Sequence, residues 1–231
     1  MEPESPVWLN VFVTIIFFGG LFGVGFFLYS RQQRILNRVA EKLGLDYEEG
    51  GTTVVSFPSE KAIPRKGRFI QCLPEVRWRL SGEIEGVEVC VYKMYLRTGS
   101  SSDPKSRTWG YPYLVGHFIL DGMNLPQTLI RPRSFIGRVR HLVGGGSGRS
   151  IENHLLSSIS DITTDSEAEF IRVFDEEAGR FYETRKKMTL EGLANSIHLF
   201  EKPSQIRFLF LTESSLEAFI QWGVKLTKQL E

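Results

Sequence analysis

The 231-residue chain is 42% hydrophobic and 24% charged, with 28 Lys and Arg set against 27 Asp and Glu. These are the values of an ordinary folded protein long enough to bury a core, and so mild a charge balance excludes a nucleic-acid partner, which takes a strongly basic face. Two cysteines, Cys72 and Cys90, exclude a disulfide framework and fit small core residues.

Residues 1–6 form a short tail whose only charges are Glu2 and Glu4. From Val7 to Tyr29 the chain reads VWLNVFVTIIFFGGLFGVGFFLY, 23 residues without a charge. As a helix that run covers roughly 34 Å, enough for a hydrocarbon layer of about 30 Å. Trp8 and Tyr29 stand near its ends, where amphipathic rings prefer to lie. A buried core helix would carry a polar stripe. A signal peptide would have basic residues before the apolar run and a small-residue cleavage motif after it. Neither pattern is present, so residues 7–29 are expected to form a transmembrane helix in contact with membrane lipid. Arg31, Arg34 and Arg38 follow directly, and arginines at a span end stay on the cytoplasmic side. The expected topology is N-terminus outside and C-terminal domain in the cytoplasm, at the cell (inner) membrane. Gly19 and Gly23 share a helix face four residues apart, a spacing that lets a second backbone approach, from another copy or from a partner's span.

Ser30 to Leu43 also reads as helix. Arg31, Arg34, Arg38 and Lys42 form a basic stripe, and Leu36, Val39 and Leu43 an apolar one, before Gly44 stops the helix. Residues 30–44 are therefore expected to be a juxtamembrane helix that touches anionic headgroups or a partner and docks onto its own domain.

Residues 45–231 form the soluble part. Val54 to Phe57 fits a short strand. Val76 to Ile84 alternates apolar and polar residues, Glu85-Gly86 makes a turn, and Val87 to Leu96 is a second strand of the same hairpin. Thr98 to Gly110 reads as loop, Tyr111 to Leu120 as strand, Asp121-Gly122 as turn and Leu125 to Ile130 as strand. Ser134 to Val143 fits a short helix ended by a glycine cluster, and Glu152 to Ser158 fits helix or strand equally. Phe170, Val173 and Phe174 are expected in the core. Thr189 is placed as the N-cap of a helix to about Phe200, and Gln205 to Leu211 alternates as a strand. Ser214-x-x-Glu217 reads as a capping box for a last helix with Leu216, Phe219, Ile220 and Val224 on one face. The order implies an α+β fold in which one N-terminal transmembrane helix precedes an antiparallel β-sheet covered by helices, ending in an amphipathic helix.

With its short tail, single span and Leu43-Gly44-Leu45-Asp46-Tyr47 entry, the chain resembles uncharacterised bacterial single-span membrane-anchored proteins with a cytoplasmic α+β domain. The sheet closed by a C-terminal helix resembles a pleckstrin-homology-like arrangement. The resemblance is one of layout and implies no functional residues.

Chemical motifs are sparse. The cluster Gly144 to Gly148 lacks the first Gly and the Lys of a phosphate-binding loop. His117, His141, His154 and His198 are scattered without metal-ligand spacing. Neither a catalytic set, a cofactor site nor a metal site is expected. Arg131, Arg133, Arg138, Arg140 and Arg149, interleaved with Phe135, Ile136 and Val139, form a candidate contact for headgroups or for an acidic partner. The expected function is a non-catalytic accessory or scaffold subunit. It would dock onto a larger membrane complex, respiratory or photosynthetic, or onto itself through the span. The alternative is a tethered sensor or binding module for a lipid headgroup or small ligand.

Overall fold

The computed structural model describes residues 7–50, 75–96, 111–132, 151, 154–185, 188–201 and 211–231. The uncharged run and the amphipathic stretch behind it form one helix, α1 (Val7–Leu43), of 37 residues. At about 1.5 Å per residue it is roughly 55 Å long. Nothing between Tyr29 and Leu43 breaks it, because no proline or glycine interrupts the stretch. It ends where Gly44 adopts φ +66° and Leu45 N–H reaches back to the Ala40 carbonyl at 2.8 Å, the bond that closes a helix on a left-handed glycine.

Eight strands follow in one antiparallel sheet: β1 (Asp46–Glu49), β2 (Glu75–Ile84), β3 (Val87–Leu96), β4 (Tyr111–Ile119), β5 (Leu125–Pro132), β6 (Ser160–Thr164), β7 (Thr189–Ala194) and β8 (Ser196–Glu201). Their order across the sheet is β1-β2-β3-β4-β8-β7-β5-β6. A 3-10 turn (Leu155–Ser158) precedes β6, and α2 (Glu167–Val173) and α3 (Glu176–Glu183) lie between β6 and β7. The chain closes with α4 (Glu213–Gln229). This is the expected α+β architecture of a long apolar helix, an antiparallel sheet and a C-terminal amphipathic helix.

The β2–β3 hairpin forms as read. Glu85 and Gly86 both take positive φ, 53° and 84°, the turn geometry that matches strand twist. Asp121-Gly122 turns the chain but does not join neighbours: β4 lies between β3 and β8, and β5 between β7 and β6. Phe170, Val173 and Phe174 are buried as expected. Three readings need correction. Residues 189–200 are the hairpin β7–β8 and not a helix capped by Thr189, because Leu190, Ile197 and Leu199 bury on one sheet face. The cap of α4 is Thr212, whose side chain and backbone exchange hydrogen bonds with Ser215; Ser214 and Glu217 do not form it. The first described strand is β1, in a segment read only as an entry. The strand at Val54–Phe57, the helix at Ser134–Val143 and the strand at Gln205–Leu211 lie outside the described residues.

The four described helices pack on one face of the sheet. The main core gathers Leu36 and Val39 of α1, Leu80, Val89, Val91 and Phe118 of the sheet, Phe170 and Tyr182 of α2 and α3, and Leu216, Phe219 and Ile220 of α4. The Phe118 ring lies against the backbone of α4: a Cβ on Gly223 would come within 2.1 Å of it. Gly223→Ala should therefore destabilise the domain by about 1–3 kcal/mol through overpacking, measured by denaturant unfolding in detergent. Adding Phe118→Leu should recover part of that loss, and an unaffected Gly223→Ala variant would contradict the packing described.

Candidate functional site

Only the second part of α1 belongs to the domain. Its earlier apolar side chains stand clear of all other protein, with Phe22 77% and Phe26 73% exposed, whereas Leu36 and Val39 are 1% and 0% exposed. Water would not tolerate so large an apolar surface on one helix. Among the described residues this is the one helix long and apolar enough to cross a membrane.

Where α1 leaves the domain, polar side chains fasten it to β1. Tyr29 Oη donates to the Glu49 carboxylate and accepts from Gln33 Nε2 at 3.0 Å. Gln33 Oε1 accepts from Tyr47 Oη, and burial pushes the Tyr47 phenol above its ordinary pKa, which keeps it a donor. Lower on the helix, Lys42 Nζ meets the Glu217 carboxylate of α4 at 2.8 Å, and Arg38 lies 3.9 Å from Glu213. The hydrogen bond that Lys42 donates to the Glu217 carboxylate holds its ammonium pKa above the usual range.

Of the other residues singled out in the sequence, Gly19 and Gly23 lie on the exposed part of α1, where an added Cβ would meet nothing within 4 Å. Arg34 is exposed and donates to the Ser30 carbonyl at 3.4 Å, while Arg31 is half-buried. Arg131 is exposed near the end of β5, in register with Asp161 of β6. Arg133, Arg138, Arg140 and Arg149 lie outside the described residues, so Arg131 is the one member of that cluster with a known position.

The sheet face turned away from the helices carries a feature that sequence reading missed. The strand registers place Ser81, Cys90, His117, His198 and Glu191 in one line across β2, β3, β4, β8 and β7. The rings of His117 and His198 stack with centroids 4.2 Å apart and planes within 5°. Around them Tyr92, Met94, Tyr113, Val115 and Phe200 form a second apolar cluster. Burial lowers the His117 pKa and raises that of the Cys90 thiol, with Arg79 opposing it. A buried, protonated thiol is a poor nucleophile, so this row does not form an activated Cys–His pair. Among the described residues no group of three or more His, Cys, Asp or Glu is placed to hold a metal ion. His154 acts structurally: its Nδ1 accepts from Leu156 N–H at 3.2 Å, which leaves Nε2 to donate to the Phe174 carbonyl at 2.7 Å.

No family model and no curated protein matches this chain. Among solved structures it is similar to the mycobacterial trehalose monomycolate transport factor A, TtfA, with a TM-score of 0.47 and 11% sequence identity. The alignment covers 85% of this chain and 90% of that one. This is a weak likeness in the course of the backbone.

The lowered His117 pKa fixes a direction for pH dependence. Below the ordinary histidine pKa the unfolded chain takes up a proton that the folded chain resists, so stability is full above about pH 6.5 and falls as the pH drops toward the folded value. The slope for one proton is at most about 1.4 kcal/mol per pH unit. Melting curves between pH 7.5 and 5 should show a smaller acid loss in His117→Gln than in the parent. Parallel pH profiles would show that His117 does not carry the effect.

Proposed function

We propose that this chain is a single-pass, membrane-anchored accessory or scaffold subunit with no chemistry of its own. It docks through its span onto a larger membrane complex or onto a second copy, and holds the α+β domain on the cytoplasmic side. The observation that carries this reading is the continuity of α1: one helix supplies both the exposed apolar segment and a strip of the domain's core. A tether that only concentrates a catalyst at a membrane is served by a flexible linker, whose reach grows with its length. A rigid helix whose end is packed and salt-bridged fixes the height and angle of the domain instead, which is what a docking subunit requires. Arg31 and Arg34 follow the apolar segment directly and favour an inner location for the domain. The buried and unactivated Cys90 fits a domain without nucleophilic catalysis.

Two measurements test the proposal. Gly19→Ile combined with Gly23→Ile should lower recovery of co-purifying membrane proteins several-fold without changing membrane extraction behaviour; full recovery would argue against docking through the span. Protease added outside intact spheroplasts should spare residues 45–231, and digestion of the domain under those conditions would reverse the topology.

A further inference from the structure

The middle of the sheet carries two buried side chains that can change charge. The register between β4 and β8 runs from Leu114 opposite Glu201 to Ile119 opposite Ser196, with His117 opposite His198 inside the ladder. Their rings stack at 4.2 Å with planes within 5°, and the residues are only 5% and 7% exposed. Among the described residues this ladder is where β1 to β4 meet β5 to β8. α1 packs on β1 and β2, and α4 on β3 and β4, whereas α2 packs on β5. The stack therefore lies between the part of the domain that carries the apolar helix and the part that does not.

Two neutral imidazoles stack readily in such a site, but two imidazolium rings at this separation repel, and burial keeps water from screening them. The groups facing the pair on the described strands do not offset two charges. On β3, Cys90 lies opposite His117 and burial keeps its thiol protonated; Glu88, two residues toward the turn, is exposed, as is Glu83 opposite it. On β2, Ser81 continues the row, and Arg79 beside it pairs with Glu48 of β1. On β7, Glu191 lies opposite His198. Leu129 of β5 and Thr163 of β6 follow, with Arg131 and Asp161 in register two residues along. Glu191 is thus the one carboxylate in the row, and it stands on the His198 side. A first proton there is tolerated; a second, on His117, is not.

We propose that the His117–His198 stack is a proton-operated latch: protonation of both rings opens the β4–β8 ladder and releases β5 to β8 from the part of the domain joined to α1. The turn at residues 120–124 and the packing of α3 on α4 still connect the two parts, so the opening is local. The closed ladder binds fewer protons than the open one. It is therefore favoured at neutral pH and lost as the pH falls below the ordinary histidine value of about 6.5. The lowered pKa of His117 has the same sign. The latch operates whether or not the domain is a docking subunit.

The test uses the full chain in detergent at about pH 7.5 and about pH 5.5, the range in which histidine changes charge. Hydrogen exchange, corrected for its intrinsic pH dependence, should speed several-fold at the lower pH in peptides covering residues 111–119 and 196–201. Peptides covering 75–84 and 213–229 should change much less. His117→Gln combined with His198→Gln should abolish the difference between the two conditions. Ring spectra of isotope-labelled histidines in the parent give a readout that does not depend on that variant folding: both rings should gain protons over the interval in which the seam amides lose protection. Equal acceleration across the whole sheet reports global destabilisation and overturns the latch, as does unchanged exchange at the seam. Protonation of both rings with the seam still protected overturns it too, and so does a pH response that survives in the double variant.

Discussion

The structure depends on one helix with two different kinds of surface. Residues Val7 to Tyr29 can be apolar on every side because the lipid they are suited to makes no distinction among helix faces. Two turns further on, the same helix has a sided requirement, since Leu36, Val39 and Ala40 must meet the sheet and α4 while Arg34 and Glu41 stay in water. No break separates the two regimes. A kink or a glycine near residue 30 would uncouple them, and the chain places its glycines inside the apolar run instead. The domain is thereby fixed in orientation relative to the span, and every surface feature acquires a direction along the helix axis.

Polar contacts at the exit reinforce that coupling, though each is modest alone. Surface ion pairs contribute on the order of 0–1 kcal/mol, so Arg38 with Glu213 and Lys42 with Glu217 do not hold α1 in place. Burial does, since removing a side chain such as Leu36 from a packed core costs about 2–5 kcal/mol. The ion pairs set register: they match successive turns of α1 to successive turns of α4, four residues apart on both helices. A slide by one turn would separate both pairs.

Local patterns in the sequence were enough to reveal the long apolar helix, the β2–β3 hairpin and the last helix, because each depends on residues near one another. Thr189 to Phe200 was misleading: Leu190, Leu193, Ala194 and Ile197 have the spacing of a helix face. The outcome was decided by distant partners, β5 on one side and β4 on the other, which place Leu190 and Ile197 over the core. β1 was invisible for the opposite reason. Asp46-Tyr47-Glu48-Glu49 is a poor strand former, and it is extended because it bridges α1 and β2, with Arg79 paired to Glu48. The stacked histidines could not be read at all, being 81 positions apart and joined by the β4–β8 register. The arginine cluster from residue 131 onward was legible as composition, and only Arg131 has acquired a place.

Strand order explains why α4 is more than a cover. Among the described residues the sheet consists of two parts, β1 to β4 and β5 to β8, which meet where β4 pairs with β8. On one side of that seam lies the His117–His198 stack, and on the other Phe118, pressed against Gly223 of α4. α4 packs on β3, β4 and α3 and also carries the acids that face α1. It therefore connects α1 to β4, the strand at the seam, through a contact too close to admit even a methyl group. A force applied to the span reaches the seam through two packed helices without passing through a loop. That is a rigid path, and it fixes the domain relative to the exposed apolar half of α1.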